Sequence, residues 1–230
     1  MRAPADPPQP APGFPPEPWH LRGWFCVGVF LVPLEALPDA VLREVPPGAR
    51  PLGLFGRAVV GVSAVTYVPG GVLDYDELLV ALPVVRGGRL WITIPQIWVT
   101  SPASRDGGRA LWGIPKQLTA TRSRQVGRRL VHRFEEQAAA ASHPLIAEVD
   151  ATAARAGLPG RWRLPLPTLQ RHEGGVVGAH NTVRGRLRAV RGRWRFGGPL
   201  AWLDPFRPLL GVAITHAAIT FGERVERQRG

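Results

Sequence analysis

The chain has 230 residues, 29 of them Lys or Arg and 17 Asp or Glu; 45% are hydrophobic and the formal charge is +12. This apolar content supports a core of its own and excludes a disordered protein, while 25 prolines and 27 glycines without a collagen period exclude a long-helix bundle. One cysteine, Cys26, excludes an intramolecular disulfide and a multi-thiolate zinc site.

Residues 1–18 are dense in proline, which predicts a disordered, extended tail ahead of a single domain over 19–230. The apolar run Trp24–Val32 is far shorter than the roughly 20 residues of a spanning helix, and no basic, then apolar leader precedes it. A soluble, cytoplasmic protein without a membrane partner is expected.

From Trp24 onward, β-branched and apolar runs bounded by Gly and Pro predict strands over Trp24–Val32, Arg57–Tyr67, Glu77–Val85, Arg89–Ile94 and Ile97–Thr100. Between the first two, Leu34, Leu37, Val41, Leu42 and Val45 fall at helical spacing, predicting one short amphipathic helix over Leu34–Val45. Basic residues from Arg122 to Arg133 read as solvated strands, and the alanines at 138–141 and the stretch Ala151–Gly157 as helical turns. Further strands are predicted over Val176–Val190, Trp194–Phe196 and Gly211–Phe221. Short, closely spaced strands with minor helices predict a mainly β fold, a barrel or strongly curved antiparallel sheet.

Among 29 basic residues only Lys116 is a lysine, and it lies among Trp112, Ile114, Pro115 and Leu118. Desolvation there favours a neutral amine, which attacks carbonyls; a guanidinium stays charged and does not. The alternative is that compositional bias has left one surface lysine at this place. The six histidines lack metal-ligand spacing, Gly61–Val65 lacks the second glycine of a nucleophile elbow, and no phosphate-cradling Gly-Lys-Ser/Thr loop occurs. Neither a metal nor an organic cofactor is expected.

The pattern Gly-Arg-x-x-x-Gly-x-Pro-Lys at Gly108–Lys116, preceded by Tyr75-x-Glu77 and an apolar strand, resembles the acetoacetate decarboxylase family over roughly Ala40–Arg122, with weaker similarity in Gly211–Phe221. The resemblance implies a cone-shaped antiparallel β-barrel with a few short helices, and a homo-oligomer. It matches Lys116 to the Schiff-base lysine and Glu77 to the acidic residue of the pocket. Tyr75, Arg109 and Gln117 are substrate-binding candidates, although Arg109 reads first as a donor that fixes the turn and second as a fork for a substrate carboxylate. Lys116 would condense with the ketone of a small β-keto or α-keto acid, the iminium would draw electrons from the adjacent bond, and carbon dioxide would leave. The sequence departs from the decarboxylase where a second lysine is replaced by Gln117, where a glutamate gives way to the apolar and small residues Val60–Val65, and where the arginine near the first strand has no counterpart around Phe30–Glu35. Aldol condensation or dehydration by the same lysine, or a non-catalytic small-molecule binding domain on the same barrel, are the alternatives.

Arg184, Arg186 and Arg188 alternate with Val183, Gly185, Leu187 and Ala189, followed by Arg191, Arg193 and Arg195 around Trp194. Alternation places arginines on one strand face, which reads as a solvated surface or subunit contact. An arginine-dependent nucleic-acid site is the third reading, unaccompanied by any nucleic-acid-binding motif.

Overall fold

The computed structural model describes residues 13–137 and 144–228. Its strands are β1 (Trp19–Pro33), β2 (Arg50–Pro51), β3 (Gly53–Leu54), β4 (Arg57–Tyr67), β5 (Tyr75–Arg86), β6 (Arg89–Val99), β7 (Lys116–Val126), β8 (Arg129–Glu136), β9 (Leu145–Ala153), β10 (Trp162–Pro165), β11 (Thr168–His172), β12 (Gly175–Phe196) and β13 (Leu210–Gln228). Two short α-helices, α1 (Asp39–Arg43) and α2 (Pro102–Trp112), complete the regular structure together with two 3₁₀ turns. The fold is mainly β, as expected.

The strands pair in the order β6-β7-β8-β9-β12-β13-β1-β4-β5, and β5 pairs back to β6, so the sheet returns on itself. A second closure runs through β11, which joins β12 to β6. The long β12 serves both: its first part pairs with β11 and β13, and its end from Val190 to Phe196 pairs with β9. Because both faces of β1, β4 and β5 are covered, these strands are nearly continuous apolar runs in the sequence. Period-two alternation divides them: Phe30, Val60, Val62, Leu78 and Val80 enter one core with Phe134, Ile146 and Trp194. Leu21, Phe25 and Val65 enter a second with Ile94, Ile97, Ile214 and Ile219.

Several expectations change. The sheet is not purely antiparallel, since β6 runs parallel to β7 and to β11. The connection from β6 to β7 crosses over through α2 instead of turning back in a hairpin, and a crossover of this kind returns the chain in the same direction. The helix expected over Leu34–Val45 is divided into a 3₁₀ turn at Leu34–Ala36 and the five-residue α1, because Leu37 precedes Pro38 and is held extended. The two runs on either side of Pro95 form one strand, β6, in which an extra residue between Thr93 and Gln96 opposes β5 and takes up the missing proline donor. Val176–Val190 and Trp194–Phe196 likewise join in β12. Ala151–Ala153 are the end of β9, paired to Val190–Gly192, and not a helical turn. The alanines at 138–141 lie outside the described residues.

Of the expected tail, residues 13–18 are packed on the domain: the Trp19 indole donates to the Pro15 carbonyl, and Glu17 accepts from Trp112 Nε1 at 2.9 Å. Of the arginine stripe on β12, Arg184 and Arg186 are exposed, whereas Arg188 donates to the carbonyls of Ala154 and Arg155 and fixes that turn. Among the described residues no helix is long and apolar enough to cross a membrane.

Cys26, buried in β1, has its thiol pushed up to about 12 by desolvation. The unfolded chain ionises it near 9.0 while the folded one does not, so folding stability should fall as pH rises above that value, by about 1.4 kcal/mol per unit from this group. Cys26→Ala should remove that part of the slope in denaturant titrations at alkaline pH; an unchanged slope would contradict it.

Candidate active site

Lys116 opens β7 directly after Pro115, and its position follows from how α2 ends. Ser101 caps the helix by accepting from the Ser104 amide, Pro102 occupies its first turn, and Gly113 closes it in the left-handed conformation. The chain then turns so that the Ile114 amide reaches the Gly108 carbonyl, and Arg109 Nε donates to the Lys116 carbonyl at 2.7 Å. The parallel pairing of Lys116 with Ile97 completes the anchorage.

The lysine side chain runs back over α2 at Gly108, and the neighbouring Gly107 makes room for Trp19. A Cβ at Gly108 would lie 2.7 Å from Lys116 Cδ, and one at Gly107 would strike the Trp19 ring. Glycine costs a helix interior about 1 kcal/mol relative to alanine, so these two positions keep close approach at the expense of helix stability. Gly108→Ala should therefore displace the amine and lower turnover by about 10²-fold or more, the scale of a misplacement near 1 Å. Unchanged kinetics, measured with acetoacetate, would show that the close contact is not needed.

The amine is dry: Lys116 is 4% exposed and Glu77 3%. The residues next to Lys116 in the sequence are apolar, but three oxygens meet Nζ, two of them from the expected Tyr75 and Glu77. Glu77 Oε2 lies at 2.9 Å, Ser104 Oγ at 2.9 Å and the Tyr75 hydroxyl at 3.4 Å, one for each hydrogen of an ammonium. Glu77 reaches this point from β5, and it also accepts from the Tyr67 hydroxyl at 3.1 Å and the Tyr75 hydroxyl at 3.3 Å. The two tyrosines face each other across β4 and β5, with ring centroids 4.6 Å apart. Burial and the nearby Glu77 charge push both phenols well above their ordinary range, so they stay protonated donors that hold the carboxylate. The Trp19 and Tyr75 rings lie 5.9 and 5.3 Å from Nζ, within reach of a cation–π contact.

These groups sit at one end of a cavity of about 450 Å³ inside the second core. Lys116, Glu77 and Tyr75 are brought together there. Arg109 and Gln117 are not: both are exposed and neither lines the cavity. Gln117 follows Lys116 in a strand and so points to the opposite face, while Arg109 is occupied with the Lys116 backbone. Sequence reasoning missed Tyr67 and Ser104. The chain contains only two tyrosines and one lysine, and all three meet at Glu77, so rarity was an available signal. Ser104 was hidden because α2 itself was not foreseen, although Ser101-Pro102 and Gly113 are its boundary signals. Among the described residues, no group of three or more His, Cys, Asp or Glu is placed to hold a metal ion.

A family model described as acetoacetate decarboxylase matches residues 6–164. No curated protein sequence matches the chain. Among solved structures, the acetoacetate decarboxylase of Legionella pneumophila subsp. pneumophila str. Philadelphia 1 superposes with a TM-score of 0.72 at 14% identity, covering 97% of this chain and 92% of that one. The enduracididine biosynthesis enzyme MppR, solved in complex with pyruvate, gives 0.66 at 19% identity, with 94% and 91% covered. An acetoacetate decarboxylase-like enzyme from Sphingomonas wittichii RW1 gives 0.65 at 15% identity, with 92% of each covered. At such identities the likeness establishes the fold.

Proposed function

From the premise that this chain belongs to the acetoacetate decarboxylase family, we propose that it is a lyase whose Lys116 forms an imine with an oxo acid, most readily releasing carbon dioxide from a β-keto acid. The observation that carries this reading is the buried Lys116–Glu77 contact of 2.9 Å in a cavity whose lining is mainly apolar, with Ser63, Thr168 and Asn181 as polar residues away from the tyrosines.

Attack on a ketone requires the ammonium to give up a proton, and Glu77 Oε2 is the acceptor within reach. The amine adds to the carbonyl carbon, Glu77 returns the proton to the departing hydroxyl, and water leaves with an iminium behind. The bond from the α-carbon to the carboxylate then breaks, its electron pair moving toward nitrogen; carbon dioxide departs and a neutral enamine remains. This step cancels a positive iminium against a negative carboxylate, and a dry apolar chamber favours loss of both charges. A proton drawn from solution through Glu77 adds to the enamine carbon, and water hydrolyses the imine to release ketone and restore the amine. Tyr67 and Tyr75 orient Glu77 throughout.

Aldol condensation is the second reading, supported by the fold's likeness to MppR, which has been solved with the condensation product of pyruvate and imidazole 4-carboxaldehyde. Acetoacetate labelled with ¹³C at the carboxyl separates the two. Decarboxylation predicts enzyme-dependent appearance of labelled carbon dioxide and bicarbonate. Retention of label in a larger product when an aldehyde is supplied would favour condensation, and retention in unchanged acetoacetate would refute turnover of this acid.

A further inference from the structure

The cavity extends well beyond the groups that would do the chemistry. Along β5, Glu77, Leu79 and Ala81 share its wall, so the lining continues for about 13 Å past Glu77 at about 3.3 Å per residue. Strand register arranges this wall in rungs. Glu77 lies beside Val65, Leu79 beside Ser63, and Ala81 beside Gly61. Side chains become small on β4 in this direction, from Tyr67 to Ser63 to Gly61, and of these Tyr67 and Ser63 line the chamber. Its roughly 450 Å³ equals the volume of about fifteen waters at about 30 Å³ each, far more than the seven heavy atoms of acetoacetate need.

Charge points the same way. In a chain so rich in arginine, no arginine lines this cavity; among the described residues Lys116 is its one cation, and Glu77 already pairs with it. Recognition of a carboxylate by a guanidinium fork is therefore not built here, and most of the available binding energy lies in the apolar wall beyond the reacting end.

Resting on the imine reading above, we propose that the preferred substrate is a β-keto acid with an extended apolar tail, its oxo group at Lys116 and its tail lying along Leu79 and Ala81. Such a tail displaces water from apolar walls, and a short acid leaves that surface wet.

The test is a homologous series: acetoacetate and the β-keto acids in which its terminal methyl is replaced by propyl, pentyl and heptyl. Each added methylene should raise kcat/KM by about three- to fourfold until the chamber is filled. Ala81→Phe, and Val212→Phe on another strand of the same wall, should abolish this gain, bringing the kcat/KM of the longer acids down to that of acetoacetate measured with the same variant. A flat or falling series with wild-type protein would overturn the proposal while leaving the imine reading intact. A rising series that both variants preserve would overturn the assignment of the tail to this wall. If borohydride reduction with every homologue leaves Lys116 unmodified, the imine reading itself fails and the proposal with it.

Discussion

Replacing Lys116 by arginine should abolish turnover, with kcat falling by more than about 10⁴-fold, beyond the range that general acid–base groups supply. Arginine keeps the positive charge and much of the length, so an electrostatic role for the residue predicts partial activity. An imine role predicts none, because a guanidinium does not lose its proton at a workable pH and forms no Schiff base. Lys116→Met provides the matching control, with similar bulk in the space over Gly108. If Lys116→Arg retained more than about one hundredth of wild-type activity, a loss smaller than removal of even one good acid–base group usually causes, covalent catalysis by Lys116 would be excluded.

Glu77→Gln should affect both rate and stability. Loss of the proton carrier beside the amine predicts a fall in kcat of about 10²- to 10⁴-fold. KM should change little, because the amide fills the same space, its oxygen accepting from one tyrosine hydroxyl and its NH2 donating to the other. The structural effect follows from burial: the Lys116 and Glu77 side chains are only 5% and 4% exposed, and removing one partner of such a pair costs about 3–5 kcal/mol. Removing both leaves no charge stranded, so the Lys116→Met, Glu77→Gln double variant should be more stable than the sum of the single changes predicts. Denaturant melts of the four proteins measure this directly. Strict additivity would mean that the two side chains do not form a coupled pair in solution, and the proton-transfer scheme would lose its basis.

Much of this site was legible because its key signals are local. A solitary lysine after Gly-x-Pro, and a Tyr-x-Glu in an alternating strand that places Tyr75 and Glu77 on the same face, can be read without knowing the fold. Other features depended on register. Tyr67 joins Glu77 only because β4 pairs with β5 at Tyr67 and Tyr75, and nothing within ten residues of Tyr67 fixes that pairing uniquely. Gln117 was expected to bind substrate, yet a strand turns the side chain after Lys116 away, whereas Arg109 takes the turn-fixing role that was its first reading by donating to the Lys116 carbonyl. Strands were recovered better than helices for a related reason. A sheet covered on both faces writes long apolar runs, whereas α2 carries Gly107 and Gly108 in its interior and its apolar periodicity is interrupted where the lysine and Trp19 need room. The parallel pairing of β6 with β7 followed from that unforeseen helix, since only a crossover connection permits it.

The most direct test is reductive trapping: incubation with acetoacetate, reduction by borohydride, and mapping of the modified peptide by mass spectrometry. Because Lys116 is the only lysine, the account predicts a substrate-dependent adduct on the peptide spanning Ile114–Leu118, absent from Lys116→Arg. Full turnover of acetoacetate with no adduct at Lys116, or with modification confined to the terminal amine, would contradict it.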